Sequence, residues 1–564
     1  MITDLPTYDQ LLLDEGPDLD RDHLTLLRHP PSPATIRHWC WRRLAENWSH
    51  DNIKRDLHGH NPINLVQMIN PSGWDGFPTY DQFLHVEGPE VDEVFRRTRG
   101  HLPGPGDIRH NAWRRLNEGW TQANILQDIQ GLPNDGPTLT RKATGIGIGI
   151  PPRSGLVTLD GATFRDARGP FLAVGCSLFW LAWGYKYDRQ RLVDNLAFLA
   201  ERGVHYVRAL GVVGPGGWAD RTIDPTWDDY LGVIDGATAC AWDHGLRVQW
   251  SIFGGTERCP TREHRTRIVH RFIDIGSRNP EAVIGFEIAN EAWQNGFPGD
   301  EGMIEVRKLA RLLHDGVPQF VALTSPQPGE ERIWYQGSAA DLLTIHLDRN
   351  ITGTGGIWRP VRQAWEVHFL DGVPKAWTSN EPIGPQSSVN EDADPLRLVM
   401  AAITAWVCGA AGYVLHTGAG IRGGGIEDQQ RGRAANLWEV ANIETTLQGL
   451  RLASQHLPAD LPNWGKHNAN TKFAAYPFDV DPLMDDTRIL RAYAAIGGGR
   501  FVAVPMQVQR DTPFTARRPL HVQQFDPLTW TLIQDRQLGA GDTMTVAGDR
   551  LSPRGYVLVG EFLT

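Results

Sequence analysis

LRVQWSIFGGTERCPTREHRTRIVHRFIDIGSRNPEAVIGFEIAN, residues 246–290, decides the fold. It opens on a short apolar run, LRVQWSI (246–252), passes through an amphipathic stretch, TREHRTRIVHRFIDIGSR, and closes on a second apolar run, VIGFEIAN (283–290). Apolar runs of this length read as buried strands, and a helical pattern between two of them predicts a parallel βαβ unit. The alternation continues on both sides. LAVGCS (172–177) and HYVRAL (205–210) precede it; FVALTS (320–325), LLTIHL (342–347), KAWTSNE (375–381) and GYVLHT (412–417) follow. Helical patterns such as RQRLVDNLAFLAERG and MIEVRKLARLLHDG lie between. Eight parallel strands alternating with helices predict an α/β chain built on a (β/α)8 TIM barrel, assigned to residues 155–456.

Upstream lies an ungapped internal repeat at an offset of 72 residues. PTYDQ at Pro6 recurs at Pro78, IRH at Ile36 recurs at Ile108, WRRL at Trp41 recurs at Trp113, and Trp48 matches Trp120. Each copy reads as a small helical module, 1–72 and 73–135, with its tryptophans on one helix face as expected of a core. Residues 136–154, rich in Gly, Pro and Thr, read as a linker. Its GIGIGI lacks the spacing of a phosphate loop. From residue 457 to 564 the pattern changes to alternating strands and turns, as in GRFVAVPMQVQR and RPLHVQQF, which predicts an all-β, sandwich-like domain.

A formal net charge of -11 leaves no positive field to neutralise a phosphate backbone, so nucleic acid is not an expected partner. No run of about 18 apolar residues predicts a membrane span. The closest stretch, Leu398 to Leu415, is broken by Gly409 and Gly412 and reads as a helix followed by a buried strand. The acidic start MITDLPTYDQ is unlike a secretory signal, so the expected location is cytoplasmic, or exported or virion-associated by another route. Five cysteines, an odd number without a CxxC pair, read as buried free thiols; neither metal nor cofactor is expected.

Barrel active sites are assembled at the carboxyl ends of strands. Two acids stand there, each preceded by Asn: Glu291 after the fourth strand and Glu381 at the end of the seventh. Such placement puts the two across one cavity. Glycoside hydrolysis needs such a pair, one acid to protonate the leaving oxygen and one carboxylate to meet the oxocarbenium-like centre. GxSxG and HExxH are absent, which argues against serine or zinc hydrolysis.

GFEIANEAW (Gly285 to Trp293) together with WTSNEP (Trp377 to Pro382) resembles the clan A glycoside hydrolases. The resemblance covers roughly residues 155–455. It implies Glu291 as acid/base, Glu381 as nucleophile, and retention, for which the carboxyl groups should stand about 5 to 5.5 Å apart. It implies further that Arg208, on the second strand, holds the nucleophile and that Asn290 bonds a sugar 2-hydroxyl. His346, ending the sixth strand, matches a polar position near the nucleophile. Glu287 is expected as an internal partner of Arg208. The sequence departs from the clan at His416, where many members carry a sugar-stacking Trp, and at Pro382 after the nucleophile. Trp293, two residues past the acid/base, is the favoured sugar-stacking aromatic. Asp348 and Arg349 in HLDRN either reach substrate or pair with one another.

The expected function is retaining hydrolysis of a β-linked oligo- or polysaccharide. The alternative is a non-catalytic glycan-binding or structural protein on the same scaffold, for example a virion-associated one. The N-terminal modules are candidates for binding a protein partner or a glycan.

Overall fold

A computed structural model of the chain describes residues 153–352, 356–367, 370–469, 475–480 and 491–563. They fall within the unit Ala143–Thr564. The repeat modules, and the linker up to residue 152, lie outside the described residues.

Three short antiparallel strands lead in: β1 (Thr158–Asp160), β2 (Thr163–Asp166) and β3 (Gly169–Phe171). The eight expected strands follow as β4 (Ala173–Ser177), β5 (Tyr206–Val212), β6 (Arg247–Phe253), β7 (Val283–Ala289), β8 (Phe320–Ala322), β9 (Leu342–Ile345), β10 (Ala376–Ser379) and β11 (Ala410–Leu415). They lie in the order β8-β7-β6-β5-β4-β11-β10-β9, every paired neighbour parallel. All are buried on both faces, which is why each reads as a continuous apolar run instead of an alternating one.

Helices cross between them: α1 (Leu181–Tyr187) and α2 (Arg189–Glu201), α3 (Tyr230–Asp243), α4 (Arg262–Arg278), α5 (Gly299–His314), α6 (Glu331–Tyr335), α7 (Pro395–Val407) and α8 (Ile443–His456). Their starts are written in the sequence. Thr261 caps α4 by accepting from His264 N at 3.2 Å. Asp394 caps α7 by accepting from Leu396 N at 2.9 Å, with Pro395 at the first helical position, where its missing N–H costs nothing.

The fifth strand is shorter than FVALTS predicts, and the cause lies at the barrel's closing seam. β8 and β9 do not continue the ladder. Asp341 N donates to Val321 O at 2.9 Å and Val321 N donates to the Asp341 carboxylate at 3.0 Å. Beyond that point the Tyr335 hydroxyl takes over. The amides of Leu323, Thr324 and Thr344 converge on it at 3.3, 3.3 and 3.2 Å, and it donates to Thr324 O at 2.8 Å. The residues after Ala322 therefore spend their amide hydrogens on a side chain, and the strand ends.

The lower end of the barrel is closed by apolar packing. Phe164 of β2 stacks on Phe320 at the start of β8, with centroids 5.0 Å apart and planes 11° from parallel. Val157, Phe171, Tyr206, Ile284 and Leu342 complete this floor. His205 sits beside it, its Nδ1 accepting from Val174 N at 3.0 Å.

Leu398 to Leu415 forms a helix and a strand, as expected, with Gly409 turning between them at φ +100°. Every α7 residue from Leu398 to Val407 is buried. One face packs on β11 and another on C-terminal strands, so the helix has no polar stripe. Those strands are β12 (Gly465–Asn468), β13 (Phe478–Val480), β14 (Arg491–Gly497), β15 (Arg500–Met506), β16 (Thr512–Ala516), β17 (Leu520–Phe525), β18 (Leu532–Leu538), β19 (Thr543–Val546) and β20 (Val557–Phe562). They form two antiparallel sheets, β12-β14-β15-β20-β17-β18 and β13-β16-β19, over a core that includes Phe478, Phe501, Phe514, Val522 and Leu558. The four described cysteines, Cys176, Cys240, Cys259 and Cys408, are buried. No helix among the described residues is long and apolar enough to cross a membrane.

Candidate active site

Arg208, third residue of β5, is fully buried in the barrel and organises the site. Its Nη2 donates to Glu287 Oε2 at 2.6 Å and to Asn290 Oδ1 at 2.8 Å, while Nη1 donates to Glu381 Oε1 at 2.8 Å. Glu287, on β7, stands beside Ser251 of β6 in the parallel register. Its carboxylate also accepts from the Ser251 hydroxyl, from Thr344 Oγ1 at 2.8 Å and from Asn380 Nδ2 at 3.1 Å. A carboxylate so supplied fixes the guanidinium; removing one partner of such a buried pair costs about 3–5 kcal/mol. Glu287 is thus the internal partner expected from its strand position.

Glu381 follows β10 and is 5% exposed. Burial pushes its carboxyl up, but the positive groups around it, His346 and His416 when protonated and the Arg208 and Arg349 guanidinia, outweigh burial and hold it well below the usual carboxylate range. His346 Nε2 lies 3.5 Å from Glu381 Oε1, and His416 Nε2 and Arg349 Nη1 lie 3.8 and 4.0 Å from Oε2. Beyond Pro382 the chain passes directly under the end of β11. A Cβ on Gly384 would stand 1.9 Å from the His416 carbonyl oxygen, so only glycine lets the backbone through.

Glu291 follows β7 with φ at +40°, a left-handed conformation that costs a non-glycine residue roughly 1–3 kcal/mol. The turn is over-determined from both sides. Asn290 N donates to Phe253 O at 2.9 Å, Ala292 N to Thr324 Oγ1 at 2.8 Å, and Asn295 Nδ2 to Asn290 O at 2.7 Å. The strain turns the carboxyl toward His346, whose Nδ1 lies 3.0 Å from Glu291 Oε1. Gln294 Nε2 donates to Glu291 Oε2. One imidazole therefore stands between the two candidate catalytic carboxylates.

Asn290 gives its Oδ1 to Arg208, and among the described residues its Nδ2 has no hydrogen-bond partner. His416 is 1% exposed; its Nδ1 is 2.9 Å from Ser177 Oγ and its Nε2 has no partner. Burial drives the His416 imidazole down to about 3, so it is neutral at pH 7. Trp293 is half-buried against the core, and no ring contact or hydrogen bond among the described residues joins it to the glutamates. Trp180 and Trp358 are buried core residues. Asp348 and Arg349 do not pair: Asp348 accepts from Arg359 Nη2 at 2.7 Å, and Arg349 turns toward Glu381. Ser177, Ser251, Thr344 and Gln294 belong to the site without a signal in the sequence, since a lone Ser or Thr in a strand is unremarkable until its neighbour is known. No cluster of three or more His, Cys, Asp or Glu able to hold a metal occurs among the described residues.

No known protein family matches the chain, and no curated protein is similar to it in sequence. Among solved structures it is similar to a glycoside hydrolase family 5 protein from Bacteroides vulgatus, at 11% identity over 73% of this chain and 94% of that one, with a TM-score of 0.51. It is also similar to a further glycoside hydrolase, at 11% identity over 72% and 97% of the two chains with a TM-score of 0.49. A GH30 endoxylanase from Clostridium papyrosolvens is similar at 10% identity over 72% and 98%, with a TM-score of 0.37. The first likeness shows the shared (β/α)8 fold; at such identity the chemistry has to be argued from the residues themselves.

Proposed function

We propose that the chain is a retaining glycoside hydrolase acting on a β-linked oligo- or polysaccharide, with Glu381 as nucleophile and Glu291 as acid/base. The observation that carries this reading is the asymmetry between the two carboxyls. Glu381 is buried, hydrogen-bonded to Arg208 and held ionised, whereas the Glu291 side chain is 21% exposed and has no guanidinium on it. One is equipped to stay charged and attack; the other is open to exchange a proton with a leaving group and then with water.

In this mechanism a Glu381 oxygen bonds to the anomeric carbon as the glycosidic bond breaks, and Glu291 delivers its proton to the departing oxygen. Water then enters where the leaving group stood. Glu291, now ionised, takes its proton, and the hydroxide displaces Glu381 from the sugar with net retention. Asn290 Nδ2 is the donor for the sugar 2-hydroxyl, an interaction that strengthens as charge develops on the ring. His346 orients Glu291 throughout by the 3.0 Å contact at Nδ1. Pro382, after the nucleophile, only shapes the turn that carries the chain to Gly384.

The test is a panel of aryl β-glycosides and β-glycans, followed by trapping with a 2-fluoro glycoside of whichever sugar is turned over. The expected label is one glycosyl group on the peptide bearing Glu381, lost in Glu381→Gln. Release of product with inverted anomeric configuration, or undiminished turnover by Glu381→Gln, would remove the assignment.

A further inference from the structure

We propose that the glycan taken by this site carries a carboxylate beside the scissile linkage, as a uronic acid does, and that Arg349 receives it. The proposal rests on the glycosidase reading of the same site and adds the substrate class.

Arg349 is the least satisfied cation around Glu381. Its side chain is 10% exposed, and among the described residues only Nη1 of its five N–H donors has a hydrogen bond, to Ser388 Oγ at 3.2 Å. Its nearest carboxylate oxygen, Glu381 Oε2, is 4.0 Å away, beyond hydrogen-bond reach. Glu381 already has Arg208 on its other oxygen. The adjacent Asp348 is taken by Arg359 at 2.7 Å and by Asn350 N at 2.8 Å. Nor is Arg349 loosely placed: Asn390 Nδ2 holds its carbonyl at 2.9 Å, so the loop after β10 braces both its backbone and its head. A guanidinium braced by Ser388 and only distantly paired with Glu381, its remaining donors open to solvent, offers a free edge to an incoming anion.

The second observation is His416. Its Nε2 is buried without a partner, 3.8 Å from the same Glu381 Oε2, and Ser177 pins the ring through Nδ1. A sugar hydroxyl satisfies this neutral imidazole. Arg349 asks for more, because its counter-ion Glu381 stands 4.0 Å away without a hydrogen bond, and a carboxylate meets the guanidinium edge with two charge-assisted bonds that a hydroxyl does not supply. A polar imidazole in place of an aromatic platform suits a sugar held by its oxygens instead of by its faces. The facing carboxylates of Glu291 and Glu381 require the ligand's carboxylate to lie on the side of Arg349 away from them.

The experiment measures binding by the full chain of non-hydrolysable 4-nitrophenyl 1-thio-β-D-glycosides, in gluco, galacto, glucuronide and galacturonide forms, by titration calorimetry. One uronide is expected to bind at least about tenfold tighter than its neutral counterpart, as for charged hydrogen bonds. Arg349→Gln should erase that preference without shifting the thermal midpoint, and Arg349→Lys should keep part of it. Equal binding of neutral and acidic forms, or no binding of any, would overturn the proposal. Hydrolysis of oxygen-linked neutral glycosides without uronide preference would leave the glycosidase reading standing and remove this one. Uronide preference without hydrolysis would do the reverse.

Discussion

The two ends of the barrel are built from the same eight strands and follow opposite rules. At the floor, Phe164 on Phe320, with Val157, Ile284 and Leu342, packs hydrocarbon against hydrocarbon. At the mouth, Arg208, Glu287, Glu291, Glu381, His346 and His416 crowd charge and polarity into a similar width, with one strained backbone and two imidazole nitrogens left without partners. The floor is dominated by apolar packing. The mouth holds polar groups strained or without partners, and that difference marks which end does chemistry.

Substitutions at the two ends should therefore separate activity from stability. The largest effect belongs to the mouth: Glu381→Gln should lower kcat by about 10^4-fold or more while the far-ultraviolet circular dichroism stays unchanged. Next comes the floor, where Phe164→Ala should cost about 3–5 kcal/mol in urea unfolding and leave kcat intact at temperatures where the protein is folded. If Phe164→Ala alters turnover at full folding, the division between the ends fails.

A third comparison uses two buried histidines, one at each end. Burial drives both His205 and His416 down to about 3. Each would bind a proton near pH 6.5 when unfolded, so below that pH the unfolded chain takes up protons that the folded chain refuses. Stability should fall as pH drops from about 6.5 toward 3, by up to about 1.4 kcal/mol per unit for each histidine. His205→Asn should flatten that slope in urea titrations at pH 6 and 5 without changing the pH profile of turnover, and His416→Asn should flatten it and raise KM. Glu381 acts in the same direction at lower pH: its folded carboxyl is depressed, so its stabilisation is complete above its unfolded value and is lost on acidification below that. The smallest effect on stability is at Glu291. Asn tolerates the left-handed backbone better, so Glu291→Asn should raise stability by about 1 kcal/mol while lowering turnover by 10²–10⁴-fold.

The strands were legible because burial on both faces writes a continuous apolar run, and the two glutamates because strand ends are where a barrel displays its chemistry. Arg208 and Glu287 could be paired from strand position and parity alone. What stayed hidden depends on neighbours distant in sequence. Ser251, Thr344 and Asn380 matter only because register brings them to one carboxylate. Arg349 and Asp348, adjacent in sequence, suggest each other as partners, yet the fold gives them different ones, Ser388 and Glu381 for the first and Arg359 for the second. The truncated β8 was illegible for the same reason, since its rival for backbone hydrogen bonds is a tyrosine on the following helix.

That tyrosine gives the barrel an uneven circumference. Seven joints are main-chain ladders, which only a proline can interrupt because every other residue carries the same amide. The upper half of the eighth is a clasp made by one phenolic oxygen, which burial keeps protonated by pushing Tyr335 up to about 12. Genetic change can reach this joint through a single atom, so the place where a descendant of this chain could most readily part its staves, widen its bore or admit a longer loop is set between β8 and β9.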